Sequence, residues 1–389
     1  RQATMFVLSA LGCVVGALVA GVAALLLMDF IREAKRKSYV AKKGYLEAPE
    51  VPGRKPVVGH LPVLAKLPEQ NRLPAFAVDM MREIGTTFQF QAPLGQRVLV
   101  TVDPEVIKHF ISGPKFNDGV YVKGPAYKIQ YMEMFGDGIF NTDGAQWEWH
   151  RNLASSLFQI QYLKSYVDVF HKNAKSLFDK LEELKDRPEG IDMQDYYMRY
   201  TLDSFAEIGF GVELNSMEAE VNKFALAFDV VQTWTQRRAR LGPLWRLKEK
   251  LSVPQEFIDS VKYLDDFVYR IIKGRQQSEE DLEEKTDLLS RLVLLQREDA
   301  ANFTDRRVRD FVINFLLAGR DTTASLLTFA SYEVSQHPEV ERKMVEEMNS
   351  VIGEDKEFIP TWKNQKDLRY VTQILKETLR LHPPVPLDG

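Results

Sequence analysis

Apolar and polar positions alternate in three rhythms along this chain, and each predicts a different kind of element. Over residues 3–28 no charge interrupts the apolar run, which includes MFVLSALGCVVGALVAGVAALLLM. At about 1.5 Å per helical residue it is long enough to cross a hydrocarbon layer of about 30 Å, so a membrane-spanning anchor is expected. A cleaved signal peptide would have a shorter apolar core and its positive cluster ahead of the run, and no A-x-A triplet occurs here. The second rhythm is strand-like. Residues 87–91 and 97–102 are joined through Pro93-Leu94-Gly95 and read as a β-hairpin. The third dominates: apolar residues at helical spacing predict helices over 147–158, 162–184, 196–210, 257–272, 287–295, 308–334, 339–351 and 368–381.

Between these segments, 48–64 interleaves Pro49, Pro52, Pro56 and Pro62 with Gly53 and Gly59, and predicts a stiff, extended linker. The acid-rich stretch 276–285 reads as a solvated loop. No internal repeat is visible. The expected fold is mainly α with a minor β-hairpin. One large helical domain over 63–389 would follow the anchor at 3–28 and a basic, proline-rich flank at 29–62.

Charge and cysteine usage narrow the function. Fifty-one Lys and Arg against 55 Asp and Glu leave a net charge of -4, which gives a nucleic acid no electrostatic footprint. Arg32, Lys35, Arg36, Lys37, Lys42 and Lys43 follow the apolar run, against Arg1 alone before it, so the positive-inside rule places the remainder in the cytosol. The single cysteine, Cys13, excludes an intrachain disulfide and any Cys-rich metal cluster, and lies within the expected span as an apolar filler. The chain starts without Met and stops just after a proline cluster, so it is expected to be a fragment.

Phosphate-loop, dinucleotide, nucleophile-elbow and H-E-x-x-H patterns are all missing, and the six histidines never pair at metal-ligand spacing. Three other constellations carry chemistry. In FVINFLLAGRDTTASLL, Gly319, Asp321, Thr322 and Thr323 are poor helix formers set together inside an apolar helix. An acid beside a hydroxyl suits proton relay, and a bend in a core helix explains the cluster equally well. Glu377 and Arg380 stand three apart in KETLRLHPPVP, on one helix face, as a surface pair or a structural one. Trp147 and Arg151 lie at i and i+4, where indole and guanidinium could hold an anionic group or simply stack on each other.

In this order and separation the three motifs resemble those of the cytochrome P-450 monooxygenases. The family's [AG]-G-x-[DE]-T-[TS] is met by Ala318, Gly319, Asp321, Thr322 and Thr323, its E-x-x-R by Glu377 and Arg380, and its W-x-x-x-R by Trp147 and Arg151. The stretches GDGIFNTDGAQW, YTLDSFAEIGFGVEL and PLWRLKEKL are similar to the fatty-acid and alkane ω-hydroxylases of plants, fungi and protists.

The resemblance implies a haem-thiolate enzyme that inserts one atom of O₂ into an unactivated C–H bond of a lipophilic substrate. A fatty acid hydroxylated at its ω end is the expected substrate. NADPH would supply electrons through a membrane-bound reductase at the endoplasmic reticulum, with a single-pass anchor in the lipid and the catalytic domain cytosolic. Asp321 and Thr322 would deliver protons, and Ala318 and Gly319 would leave room over the cofactor. Trp147 and Arg151 would hold a haem propionate, while Glu377 and Arg380 would be structural. Phe311, Phe315 and Leu316 fit either an acyl-chain pocket or the core. The family's thiolate ligand lies well downstream of E-x-x-R, beyond Gly389, so these residues alone are expected to be inactive. A haem-thiolate hydroperoxide isomerase and a non-catalytic membrane-anchored binding protein are the alternatives.

Overall fold

A computed structural model describes residues 2–66, 73–112, 121–157, 160–219, 222–241, 245–278, 281–285, 287–301, 303–353 and 361–386. The chain divides into two compact units, Arg1–Tyr121 with Arg237–Ser252, and Val122–Gln236 with Val253–Gly389.

The first unit opens on α1 (Gln2–Lys43). Its second half is rich in Ala, Leu, Lys and Arg, all strong helix formers, and the helix runs on until Gly44 takes up a left-handed φ of 64°. The side chains of residues 2–16, most of the expected anchor, lie outside the described residues. Among the described residues no helix is long and apolar enough to cross a membrane. There follow α2 (Leu61–Leu64), α3 (Leu73–Ile84), β1 (Thr87–Gln91), β2 (Arg97–Thr101) and α4 (Pro104–Ser112). The hairpin forms as its alternation predicts: β1 and β2 pair antiparallel from Thr87 opposite Thr101 to Gln91 opposite Arg97. Phe88 packs with Val51 and Ala77 beneath it.

The proline-rich stretch is not the spacer that its composition predicts. The N–H of Val51 donates to the Gln89 carbonyl at 3.0 Å, and that of Gln89 to Pro49 at 2.8 Å, so residues 49–51 line the edge of β1. His60 is fully buried. Its Nε2 donates to the Val51 carbonyl at 2.6 Å, and its Nδ1 accepts from the Gln91 N–H at 2.9 Å. Gly59, with φ 60°, passes so close to the Gln91 carbonyl that a side chain there would overlap it. Proline does forbid regular pairing here, but unpaired edge groups of β1 recruit the remaining N–H and carbonyl groups of the stretch.

Charges tie the end of α1 to this sheet. Arg54 donates to Asp29 at 2.8 Å, Arg97 to Glu33 at 2.8 Å, and Arg36 to both Glu33 and Glu47. Part of the basic flank is thus committed to internal ion pairs. The Arg36 hydrogen bond, with that of Arg97, lowers the Glu33 carboxyl to about 2 against the opposing effect of burial. A depressed carboxylate contributes stability above its unfolded pKa and loses it as pH falls through the folded value. Unfolding midpoints measured from pH 5 to pH 2 should therefore fall less steeply in Glu33→Gln than in the parent. Equal slopes would show that the Glu33 pairs contribute nothing.

In the second unit, α5 (Gly124–Gln130), α6 (Met132–Phe135) and α7 (Gly144–Leu157) precede α8 (Ile160–Leu184) and α9 (Met193–Phe210). Next, α10 (Lys223–Leu241) continues past Gln236 into the residues 237–252 that belong to the first unit and include α11 (Trp245–Leu251); the second unit resumes with α12 (Gln255–Gln276), α13 (Leu288–Glu298), α14 (Asp305–Gln336), α15 (Pro338–Ile352) and α16 (Arg369–Leu381). All eight expected helices are present. The helices α2, α3, α4, α5, α6, α10 and α11 have no counterpart among those predicted. The stretch 276–285 is not wholly solvated either, since Leu282 is buried in the core.

Side-chain caps set starting points: Asp192 accepts from the Asp195 N–H ahead of α9, Asp287 from the Ser290 N–H ahead of α13, and Thr304 from the Arg307 N–H ahead of α14. Leu202, Phe228, Ile272, Leu292, Phe311 and Leu316 anchor one core around α14, each worth about 1.5–3 kcal/mol of apolar burial.

Within that core lies a polar clasp. Arg309 donates from Nη2 to the Glu133 carbonyl at 2.8 Å and from Nε to Asp265 at 2.7 Å. Asp310 accepts from the Asp137 N–H at 2.9 Å. Asn314 accepts from the Phe140 N–H at 3.0 Å and donates to the Phe135 carbonyl at 2.9 Å. Gly136 and Gly138 make the approach possible, because a Cβ at either would overlap Asp310 or Asn314. The turn in turn receives His150 of α7, whose Nε2 donates to the Asp137 carbonyl at 2.9 Å.

Burial pushes the Asp310 carboxyl up from its ordinary range, with the Asp137 N–H and Arg309 pulling it back. Asp310→Ala leaves the Asp137 N–H without its acceptor and removes one of the partners of Arg309, and should cost about 1–3 kcal/mol in denaturant unfolding. A loss no larger than that of a surface substitution would contradict this role.

Candidate functional site

The midpoint of α14 passes from a stretch buried on every side, Val308 to Leu316, to one open on part of its surface. The motif sits at that transition. Thr322 donates to the Ala318 carbonyl at 2.7 Å, a bond back to the preceding turn, and the two residues share one half-buried face. Arg320 is 3% exposed, and its Nη1 donates to Asp229 of α10 at 3.1 Å and to Asp321 at 3.2 Å. The other Asp321 oxygen accepts from Gln232 of α10 at 2.5 Å. Burial pushes the Asp321 carboxyl upward, while Arg320 and Gln232 oppose the shift.

Asp321 and Thr322 are therefore neighbours in sequence with no hydrogen bond between them: one turns to α10, the other along its own helix. Gly319 also departs from expectation. Rather than opening room for a cofactor, it faces the Phe205 ring of α9, which occupies the space that a Cβ would take. Beside it, Thr201 of α9 donates to the Arg320 carbonyl at 2.9 Å, so the glycine lets α9 and α14 close on each other. Phe311, Phe315 and Leu316 are core residues. The first two stack with ring centroids 4.9 Å apart.

On α7, Trp147 is half-buried and Arg151 exposed, on the shared face that their spacing predicts. Among the described residues, the Arg151 guanidinium makes no hydrogen bond or ion pair. On α16, Arg380 donates twice to Glu377, at 2.8 and 2.6 Å, and both side chains stand more than half exposed. Among the described residues they meet no third partner. The helix that carries them is held at both ends. Glu347 of α15 accepts from the N–H groups of Tyr370 and Val371, and His382 stacks on Phe329 at 4.3 Å while donating to Glu333 at 2.7 Å.

The family description Cytochrome P450 matches residues 49–388. The chain belongs to the cytochrome P450 family. It is 33% identical over 329 residues to cytochrome P450 704C1 of Pinus taeda, covering 78% of this chain and 63% of that one. To cytochrome P450 704B1 of Arabidopsis thaliana it is 33% identical over 320 residues, 70% of this chain and 60% of the relative. To cytochrome P450 4d2 of Drosophila melanogaster it is 27% identical, with 97% and 76% covered. The chain spans about three fifths of the length of the two plant cytochromes P450.

The cytochrome P450 family uses haem and O₂ with electrons from a reductase. The residues expected to hold such a group have side-chain chemistry compatible with it. Arg151, unpaired among the described residues and on the same helix face as Trp147, is a cation suited to a carboxylate, and the half-buried Ala318–Thr322 face combines a small side chain with a hydroxyl. A thiolate is not among them, since Cys13 is the one cysteine of the 389 residues.

Residues that pattern reading missed include Arg309, Asp310 and Asn314. They are polar positions within one turn and a half of an otherwise apolar segment, a signal as strong as that at Asp321.

Gly319→Ala should destabilise the protein by about 1–3 kcal/mol through overlap with Phe205. In a double-mutant cycle, Phe205→Ala should relieve that cost. Strict additivity would show that the two residues do not touch.

Proposed function

We propose that this cytochrome P450 serves in a haem-thiolate monooxygenase that hydroxylates a lipophilic substrate, a fatty acid at or near its ω end. Bound haem would supply the O₂ chemistry, with electrons relayed from NADPH by a reductase, and the protein would supply orientation, proton delivery and a dry pocket. Membership of the family over 49–388, with the Ala318–Thr322 stretch intact, carries this reading. Similarity of GDGIFNTDGAQW and its companion stretches to the ω-hydroxylases supports the substrate class.

In this proposal Arg151, with Trp147, binds a haem propionate, and Ala318 keeps the face of α14 low beside the macrocycle. Thr322 positions a proton donor there, and Asp321 replenishes it. Glu377 and Arg380 are structural. The catalytic body, residues 63–389 and the segment carrying the thiolate, is cytosolic at the endoplasmic reticulum, held by a single-pass anchor over 3–28 and its basic flank. Val19, Leu25, Leu26, Leu27, Phe30 and Ile31 of α1 are exposed apolar side chains, which supports a lipid partner for that helix.

Thr322→Ala tests the reading in the full-length, haem-loaded protein. Haem and substrate binding should persist, while product formed per NADPH falls several-fold and peroxide rises to match. Unchanged coupling would leave Thr322 an ordinary helix residue and remove the proton-delivery role.

A further inference from the structure

The carboxylate of Asp321 is gripped from one side. Gln232 donates to one of its oxygens at 2.5 Å. Arg320 reaches the other at 3.2 Å with the same Nη1 that is held by Asp229 at 3.1 Å. Gln232 and Asp229 stand three apart on α10, so both contacts trace to a single face of that helix. Arg320 has little freedom to let go. It is buried, lies over the Phe228 ring at 5.5 Å, also from α10, and its Nε is buried with no hydrogen-bond partner among the described residues. Beside the grip, Asp229, Arg320, Leu202, Leu226 and Arg199 line a cavity of about 430 Å³, leaving space next to this face of α10.

We infer that α10 positions Asp321: Gln232 directly, and Asp229 through Arg320, hold its carboxylate away from Thr322, so a movement of this face of α10 decides where the acid points. Gln232 is thus a positioning residue. The inference rests on the reading of Asp321 and Thr322 as the proton-delivering pair only for its consequence in turnover. The grip itself is a matter of hydrogen bonding.

The groups facing Asp321 are Arg320 from its own helix and Asp229 and Gln232 from α10, and they act in opposite senses. Gln232 and Arg320 favour the ionised acid, while Asp229 opposes it and also competes for Arg320. Carbon-13 titration of aspartate carboxyls in the full chain, with Asp321→Asn identifying the signal, separates these contributions. Gln232→Leu should move the Asp321 titration to higher pH, and Asp229→Asn should move it to lower pH. A general loosening of the fold would not give shifts of opposite sign.

If neither variant moves the Asp321 signal, or both move it the same way, the inference is overturned. In the full-length, haem-loaded protein, Gln232→Leu should displace the pH profile of product formed per NADPH in the same direction as the titration, with substrate affinity kept. Opposite titration shifts without that displacement would uphold the grip and count against Asp321 as a proton donor.

Discussion

The buried clasp between α14 and the Gly136–Asn141 turn is the constraint on which the second unit depends. A helix that is buried on all sides normally carries apolar residues all round. Here Arg309, Asp310 and Asn314 replace them: Asp310 and Asn314 accept from N–H groups of the turn, and Arg309 donates to the Glu133 carbonyl in α6 just before it and to Asp265. An unsatisfied polar group at such depth costs far more than a made hydrogen bond contributes, so the contact tolerates little sliding or rotation. That asymmetry gives α14 a fixed register against the segment leading into α7. The bond from His150 to the Asp137 carbonyl also ties the middle of α7, the helix that carries Trp147 and Arg151, to that turn.

The same helix changes character within two turns. Up to Leu316 it is structural throughout. From Ala318 on, its faces divide: Gly319 serves close packing with Phe205, Arg320 and Asp321 are bound to α10, and Ala318 with Thr322 faces less crowded surroundings. One short motif thus combines a packing residue, an electrostatic link and a hydroxyl. Its poor intrinsic helix propensity is carried by the tertiary contacts on either side. The first unit solves a comparable problem differently, using prolines, a buried histidine and ion pairs to finish the exposed edge of a two-stranded sheet.

Helical periodicity was legible wherever an apolar stripe met a single core, which is why α7, α8, α9, α12, α13 and α14 were anticipated within a few residues. Short helices such as α4 and α5 offer too few turns for a stripe to stand out. The order of the Pro49–His60 stretch comes from bonds to β1, about 30–40 residues further along the sequence, and local composition carries no trace of them. Within the site, the spacing of Trp147 with Arg151 and of Glu377 with Arg380 gave their shared faces directly. The partner of Asp321 was not legible, since Gln232 lies 89 residues away on a helix that pattern reading had passed over. Gly319 illustrates a further limit: sequence can mark a close approach at a glycine, but not what approaches.

Hydrogen exchange at the amides of Asp137 and Phe140 tests the clasp most directly. Both lie in a surface turn, where amides ordinarily exchange through small local openings. If Asp310 and Asn314 hold them as described, they exchange only with the slowest core amides of α14, in step with global unfolding. Exchange at the rate of neighbouring loop amides would contradict the clasp and the placement of α7 that follows from it.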